Sequence, residues 1–202
     1  MFPLFAKGKT NERPLIAPAL RGAFRFSMQN ASLYFAAGDL IFISDANGAR
    51  VEFLGKATSA LSSEVRCLYG LSYSRAAGAI CWKPANAFCW KAPRLLPSAE
   101  REETGVIARR SVGGVLFLTK LTEATRSLSL TISAVRKNDA SAFSHWVRDL
   151  LRGGIEPFAF CEEYAPVRKA ALISSRIAQK ENFPEQIAVE IELEILAAGD
   201  YA

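Results

Sequence analysis

The stretch Arg126-Ser127-Leu128-Ser129-Leu130-Thr131-Ile132-Ser133-Ala134 places apolar residues at even positions and hydroxyl residues at the odd positions from 127 to 133. Side chains alternate between the two faces of a β-strand, so this pattern predicts a strand with one buried face. The stretch 187–195 has the same alternation, with aliphatic residues on one face and Glu190, Glu192 and Glu194 on the other. Both stretches predict a fold built on a half-buried sheet.

An amphipathic helix is predicted over residues 139–152, directly after the first of these strands. Its apolar residues recur at the spacing of one helix face and are Phe143, Trp146, Val147, Leu150 and Leu151. Asn138 or Asp139 is a candidate N-cap, and Gly153-Gly154 is a candidate C-terminal stop. Further strands are predicted at 155–161 and 167–174. The order strand, helix, strand, strand, strand predicts a mainly β (α+β) fold, a β-sandwich or split barrel with one packed helix.

Residues 1–100 are predicted to form a separate β-rich region, and residues 101–202 the domain that carries the helix. In the first region, apolar segments at 40–44 and 49–54 flank the turn Asp45-Ala46-Asn47-Gly48. Asn and Gly tolerate positive φ, so a β-hairpin is predicted here. Residues 1–38 contain three prolines and are predicted to form an arm or a set of short strands. Residues 94–103 are predicted to form a turn or a linker between the two halves.

Large aromatic residues are concentrated between Tyr69 and Trp90. The triplets Cys81-Trp82-Lys83 and Cys89-Trp90-Lys91 repeat after eight residues and predict the two arms of a hairpin. Trp82, Phe88 and Trp90 could stack on a sugar or a base, but large aromatic residues more often lie in a core or a subunit interface. The sequence is compatible with both a stacking platform and a core or interface role for these residues.

The net charge of +5 and the pI near 9.1 make a nucleic-acid surface worth considering. The basic residues are scattered, however, so the sequence predicts a solvated surface without specific nucleic-acid recognition, with a phosphate-binding stripe that contacts DNA non-specifically as the alternative. No segment approaches the roughly 20 apolar residues of a membrane span. The first residues place their charges after an apolar stretch, the reverse of a signal peptide, so synthesis and assembly in the cytoplasm are expected, without a membrane anchor.

No catalytic or metal-binding motif is apparent. The single histidine, His145, has only Ser141, Ser144 and Asp149 near it in sequence, which does not define a triad. The four cysteines lack C-x-x-C spacing, so reduced buried thiols are expected, with a four-thiolate cluster as the alternative. We therefore expect a protein that is not an enzyme and has no cofactor.

The second half of the chain resembles the distal tail protein family of siphophages, and the short minor tail proteins of lambda-like phages share its succession of elements. The resemblance covers roughly residues 105–198 and rests on the order and spacing of the elements. Its carriers are Leu128–Ala134, Asp139–Gly154, Pro157–Phe160, Glu162–Pro166, Val167–Ser174 and Ile187–Ile195.

The resemblance implies a hexameric ring at the tail tip of a virion, between the tail tube with its tape-measure protein and the hub or receptor-binding apparatus. A closed ring pairs two different faces of the same protein. The candidate interface residues are Phe42, Asn47, Gly48, Trp82, Trp90, Glu190, Glu192 and Glu194. The alternative from another class is a carbohydrate- or receptor-binding module that uses the aromatic region 69–90.

Overall fold

The computed structural model of the chain describes residues 4–90, 94–95, 99–103, 106–110, 116–120, 125–152, 156–162, 167–179 and 186–196. In chain order the elements are β1 (Leu4–Pro14), β2 (Arg25–Ser27), α1 (Ala31–Tyr34), β3 (Leu40–Ser44), β4 (Glu52–Ala60), β5 (Glu64–Cys67), β6 (Ile80–Cys89), β7 (Arg94–Leu95), β8 (Ala99–Glu103), β9 (Val106–Arg110), β10 (Leu116–Lys120), β11 (Thr125–Arg136), α2 (Lys137–Leu150), β12 (Phe158–Cys161), β13 (Arg168–Gln179) and β14 (Gln186–Ile195). The predicted mainly β class is confirmed, and the described strands pair along open paths instead of closing into a barrel.

The chain divides into two compact units. The first contains the described residues within 1–90 and 157–169, and the second those within 91–156 and 170–197. The sequence predicted one division near residue 100. The segment 157–169 joins the first unit because β12 pairs with β1, with Phe5 opposite Phe160. Such a long-range pairing leaves no signal in the local pattern of either strand.

Strands of the first unit follow the order β2-β5-β4-β3-β6-β1-β12 and are antiparallel. For residues 4–14 the predicted arm is wrong, because β1 is a long internal strand between β6 and β12. The register shifts between Thr10 and Arg13, where Asn11 has a φ of 55°. A bulge of this kind lets a strand continue through an irregular stretch. Pro14 stands at the last position, where a strand tolerates proline.

The predicted hairpin is confirmed, since β3 and β4 pair with Phe42 opposite Phe53 and Ile43 opposite Glu52. The two Cys-Trp-Lys triplets, by contrast, do not form matching arms. Cys81 and Cys89 lie on the single strand β6, which pairs with β1 and β3. The two cysteines pack against different core clusters, Cys81 in the first and Cys89 at the edge of the second.

Strand β3 is buried on both faces and separates two clusters of core residues. Ile41 and Ile43 point into the first cluster, and Phe42 between them points into the second. The first cluster contains Leu15, Ala19, Phe26, Met28, Ala31, Phe35, Ile41, Ile43, Leu54, Ala57, Val65, Cys67, Leu71, Ala79 and Cys81. The second contains Leu4, Ala6, Phe42, Phe53, Trp82, Ala159, Cys161 and Val167. The continuous apolar run of β3 follows from this double burial.

The second unit is organised around β11, β14 and β13, paired in that order. Leu128 lies opposite Leu193 and Leu130 opposite Ile191, and these four side chains are buried. The alternation predicted from the sequence is therefore confirmed for both strands. Helix α2 contacts β11 and β14, with Ala140, Phe143 and Trp146 as its buried residues.

Helix α2 begins earlier than predicted. Its N-cap is Arg136, an extended residue without a side-chain capping bond, so Asn138 and Asp139 lie inside the first turn and the predicted cap is wrong. Asp139 still places a negative charge in the first turn, where the helix dipole favours it. The predicted stop at Gly153-Gly154 lies outside the described residues.

The predicted linker at 94–103 is wrong, because β7 and β8 both pair with β11. Residues 94–103 contain Pro97 and several charged residues, which is typical of an edge strand as well as of a linker. Strands β9 and β10 form a separate two-stranded sheet with Arg109 opposite Phe117.

One buried charged side chain, Arg75, fixes the β3–β4 hairpin to the loop that precedes β6. Its Nη1 donates to Asp45 Oδ1 at 2.7 Å, and its Nη2 donates to the Arg50 carbonyl at 2.6 Å and to Glu52 Oε2 at 3.2 Å. The side chain is 1% exposed, whereas those of Asp45 and Glu52 are 22% and 14% exposed. Removing the Arg75 guanidinium would leave the partly desolvated carboxylates of Asp45 and Glu52 without their buried cation.

We therefore expect Arg75→Met to lower the free energy of unfolding by about 2–3 kcal/mol, below the ~3–5 kcal/mol of a fully buried pair because both carboxylates keep some water. Arg50→Met is the matched control, because Arg50 binds the same Asp45 carboxylate from the surface and should change stability far less. Urea denaturation of the two variants measures the difference. Equal losses would show that Arg75 has no special role.

Candidate subunit-interaction surfaces

The tip of the β3–β4 hairpin is a tightly bonded turn. Asp45 N–H donates to the Ala49 carbonyl at 2.8 Å, and Gly48 N–H donates to the Asp45 carbonyl at 2.9 Å. Gly48 has a φ of 79°, which only glycine adopts freely. Asn47 accepts a hydrogen bond from Ala49 N–H through its side-chain oxygen and is exposed. The tip therefore presents Asn47 to solvent in one defined conformation.

Charged hydrogen bonds to the Asp45 carboxylate stabilise this tip. Burial acts to raise the pKa of Asp45, but hydrogen bonds from Arg50 at 2.6 Å and Arg75 at 2.7 Å outweigh it and lower the pKa. The carboxylate stays charged and joins an exposed and a buried guanidinium. Sequence reasoning missed Arg75, because a lone arginine in the loop Ser72-Tyr73-Ser74-Arg75 looks like any surface residue.

Glu190, Glu192 and Glu194 lie on one face of β14, as predicted. Successive members are about 7 Å apart, two residues along a strand. Glu190 is exposed, Glu192 and Glu194 are half-buried, and Ser174 Oγ donates to Glu192 at 3.3 Å. Across the strands, Glu192 and Glu194 lie opposite Ser129 and Ser127. Among the described side chains no cation pairs with these carboxylates, and the strand register places Arg176 of β13 opposite Glu190.

The aromatic candidates Phe42, Trp82 and Trp90 are core residues, with exposed fractions of 0%, 1% and 2%. The rings of Phe42 and Trp82 stack at a centroid distance of 4.6 Å, in the second cluster of the first unit. Such side chains hold the protomer together and offer no surface to a partner or a sugar. The interface prediction therefore remains with Asn47, Gly48 and the three glutamates.

The four cysteines are free and fall into two groups. Cys67 and Cys81 belong to the first core cluster, and Cys89 and Cys161 to the second or its edge. Burial raises the pKa of Cys67 and Cys161 to about 12 and that of Cys89 to about 11, and it raises the pKa of Cys81 further. This division does not assemble the four-thiolate cluster considered from the sequence. Within the described part of the chain, no group of three or more metal-binding side chains comes together.

His145 lies on the exposed face of α2. Its Nδ1 is 2.7 Å from an Arg148 nitrogen, and Asp149 is 3.9 Å away. Ser144 donates to the Ala140 carbonyl in the helix, not to the imidazole. The arrangement is a surface network of charges along one helix without an activated hydroxyl.

None of the helices that the structure describes has the length and apolar character needed to cross a membrane.

Comparisons with known proteins return little. No protein-family model matches the sequence, and no curated protein matches it. Among solved structures, the chain is similar to one described as the tail of an empty GTA particle computed with helical refinement and C6 symmetry. The identity is 13%, the match covers 80% of this chain and 92% of that chain, and the TM-score is 0.29. These values are too low to establish a shared fold or a shared role.

Trp82→Ala should destabilise the first unit by about 3–5 kcal/mol, the usual loss for a buried tryptophan. Tyr73→Ala is the control, because Tyr73 belongs to the same aromatic region but is 62% exposed. Chemical denaturation measures both. A Trp82 variant that keeps full stability but loses glycan binding would favour the binding-module alternative instead.

The native thiols should react slowly with Ellman's reagent at pH 8, because only the thiolate attacks and burial keeps the thiols protonated. All four should react at once in denaturant. Leu33→Cys supplies a positive control, since that side chain is 75% exposed. Rapid reaction of Cys67 or Cys81 in the native protein would contradict the described core.

Proposed function

We propose that this chain is a structural component of a bacteriophage tail tip or baseplate. It forms a ring, hexameric by the resemblance, that joins the tail tube and its tape-measure protein to the hub or receptor-binding apparatus. Its place is the virion, and its role is assembly without turnover. Any contact with DNA in the lumen is non-specific and electrostatic.

The observation that carries the proposal is the succession of elements from residue 125 to residue 195. The resemblance to distal tail proteins rests on a hydroxyl-rich strand, a helix, an aromatic strand and two closing strands. The chain has β11, α2, β12, β13 and β14 in this order. Strand β12, Phe-Ala-Phe-Cys, is the aromatic strand of that succession, and all four of its residues are buried.

Two separate surfaces supply the kind of contacts that a ring needs. The glutamate face of β14 carries carboxylates without a cation among the described side chains, and the rigid hairpin tip presents Asn47. A row of like charges about 7 Å apart is unfavourable until a partner neutralises it. A head-to-tail ring pairs such a face with a different surface on the next copy.

The carbohydrate- or receptor-binding alternative has lost its main support. A stacking platform needs exposed aromatic faces, and Trp82 and Trp90 are buried. Tyr73 is the exposed aromatic side chain left in that region. One exposed ring is a weak basis for sugar binding.

The purified full-length chain should self-associate into a closed oligomer whose mass is a whole multiple of 22.1 kDa. Native mass spectrometry gives the copy number, and electron cryomicroscopy of the particle locates the ring at the tail end. A chain that stays monomeric, and that lies on the periphery of the particle, would refute the ring proposal. Glycan binding by such a monomer would then favour the alternative.

A further inference from the structure

Four large apolar side chains are exposed on two neighbouring loops of the first unit. They are Leu20, Phe24, Leu68 and Tyr73, with exposed fractions between 49% and 74%. The loops are hydrogen-bonded to each other, since Cys67 N–H donates to the Phe24 carbonyl at 2.9 Å and Gly22 N–H donates to the Leu71 carbonyl at 2.8 Å. Arg21 N–H also donates to Ser74 Oγ at 3.0 Å. The four exposed residues therefore lie on two segments that these hydrogen bonds hold side by side.

The backbone beneath this surface is closely packed. Gly70 lies so near the Gly22 carbonyl that a Cβ built on it would be 2.7 Å from that oxygen. Only glycine allows this approach, so the two loops are held at a fixed separation. A preorganised surface loses little conformational entropy on binding.

Two arginines complete the surface. Arg21 and Arg25 are exposed, and neither has a carboxylate partner among the described side chains. The guanidinium of Arg25 lies 5.4 Å from the centre of the Phe24 ring. We call Leu20, Arg21, Phe24, Arg25, Leu68 and Tyr73 the arginine–aromatic patch.

The composition of the patch favours a protein partner. Arginine and aromatic residues are enriched at the centre of protein interfaces, whereas lysine is depleted there, and the patch contains no lysine. Its exposed guanidinium groups are complementary to an acidic partner surface. The β14 face of this same chain has that chemistry, with Glu192 and Glu194 flanked by Ser127 and Ser129 of β11.

We propose that the arginine–aromatic patch of one copy binds the glutamate face of β14 on the next copy. The inference rests on the proposed ring and assigns its two complementary surfaces. Patch and face differ, so the contact is head-to-tail and each copy uses both. The guanidinium groups of Arg21 and Arg25 neutralise the carboxylate row, and the apolar side chains exclude water around them.

Charge reversal on each side tests the contact in the full-length chain. The first variant carries Arg21→Glu and Arg25→Glu, and the second carries Glu192→Lys and Glu194→Lys. The second pair is suitable because the residues opposite it are serines and Ala171, which tolerate a lysine neighbour. Lys137→Glu with Arg148→Glu is the matched control, since it makes the same charge change as the first variant on exposed positions of α2.

Each of the two variants alone should self-associate about a hundredfold more weakly than the wild type, because like charges then face each other. An equimolar mixture should regain the wild-type assembly with alternating copies, since every contact is again between opposite charges. The control variant should assemble as the wild type does. Sedimentation velocity measures all four samples, and raising the salt concentration should weaken the wild-type assembly.

The outcomes separate this inference from the ring itself. A wild-type chain that does not assemble refutes the ring, and the contact with it. If the wild type assembles but the first variant assembles equally well, the ring stands and the proposed contact is wrong. If the first variant assembles normally but binds duplex DNA more weakly, the patch faces nucleic acid, and the proposed contact is likewise overturned.

Discussion

The first unit depends on the contact between the buried guanidinium of Arg75 and the carboxylates of Asp45 and Glu52. These groups tie the tip of the β3–β4 hairpin to the loop before β6, and the bond from Arg75 to the Arg50 carbonyl fixes the backbone of the connection as well. A planar guanidinium can satisfy three acceptors in fixed directions, which lysine cannot. The hairpin tip therefore has one conformation, and the exposed Asn47 has a defined position.

Strands β3, β4 and β6 contribute residues to both core clusters of the first unit. Residues of each strand alternate between the first and the second cluster, for example Cys81 and Trp82 on β6. A strand buried on both faces cannot shift its register by one residue without exchanging its two packing partners. In the region 69–90, Trp82 and Tyr69 pack in the second cluster, whereas Tyr73 stays exposed.

Two exposed surfaces, the arginine–aromatic patch and the glutamate face of β14, differ in charge and chemistry. A protein that assembles head-to-tail requires two such different surfaces. An arginine–aromatic patch and a carboxylate face on the same chain favour contacts between different surfaces, which build rings instead of two-fold dimers. This contrast between the two surfaces supports the proposed role in assembly.

The sequence by itself determined the elements whose pattern is local: the β11 and β14 alternation, the amphipathic face of α2 and the hairpin at residues 40–54. Each of these patterns depends only on residues that are neighbours along the chain. Only the tertiary structure decided that residues 4–14 form an internal strand, that residues 94–95 and 99–103 pair with β11, and that Trp82 and Trp90 are buried. These features arise from pairings between distant segments, and so does the burial of Arg75. A local pattern records which side chains share a face of an element, whereas the long-range pairing decides what covers that face.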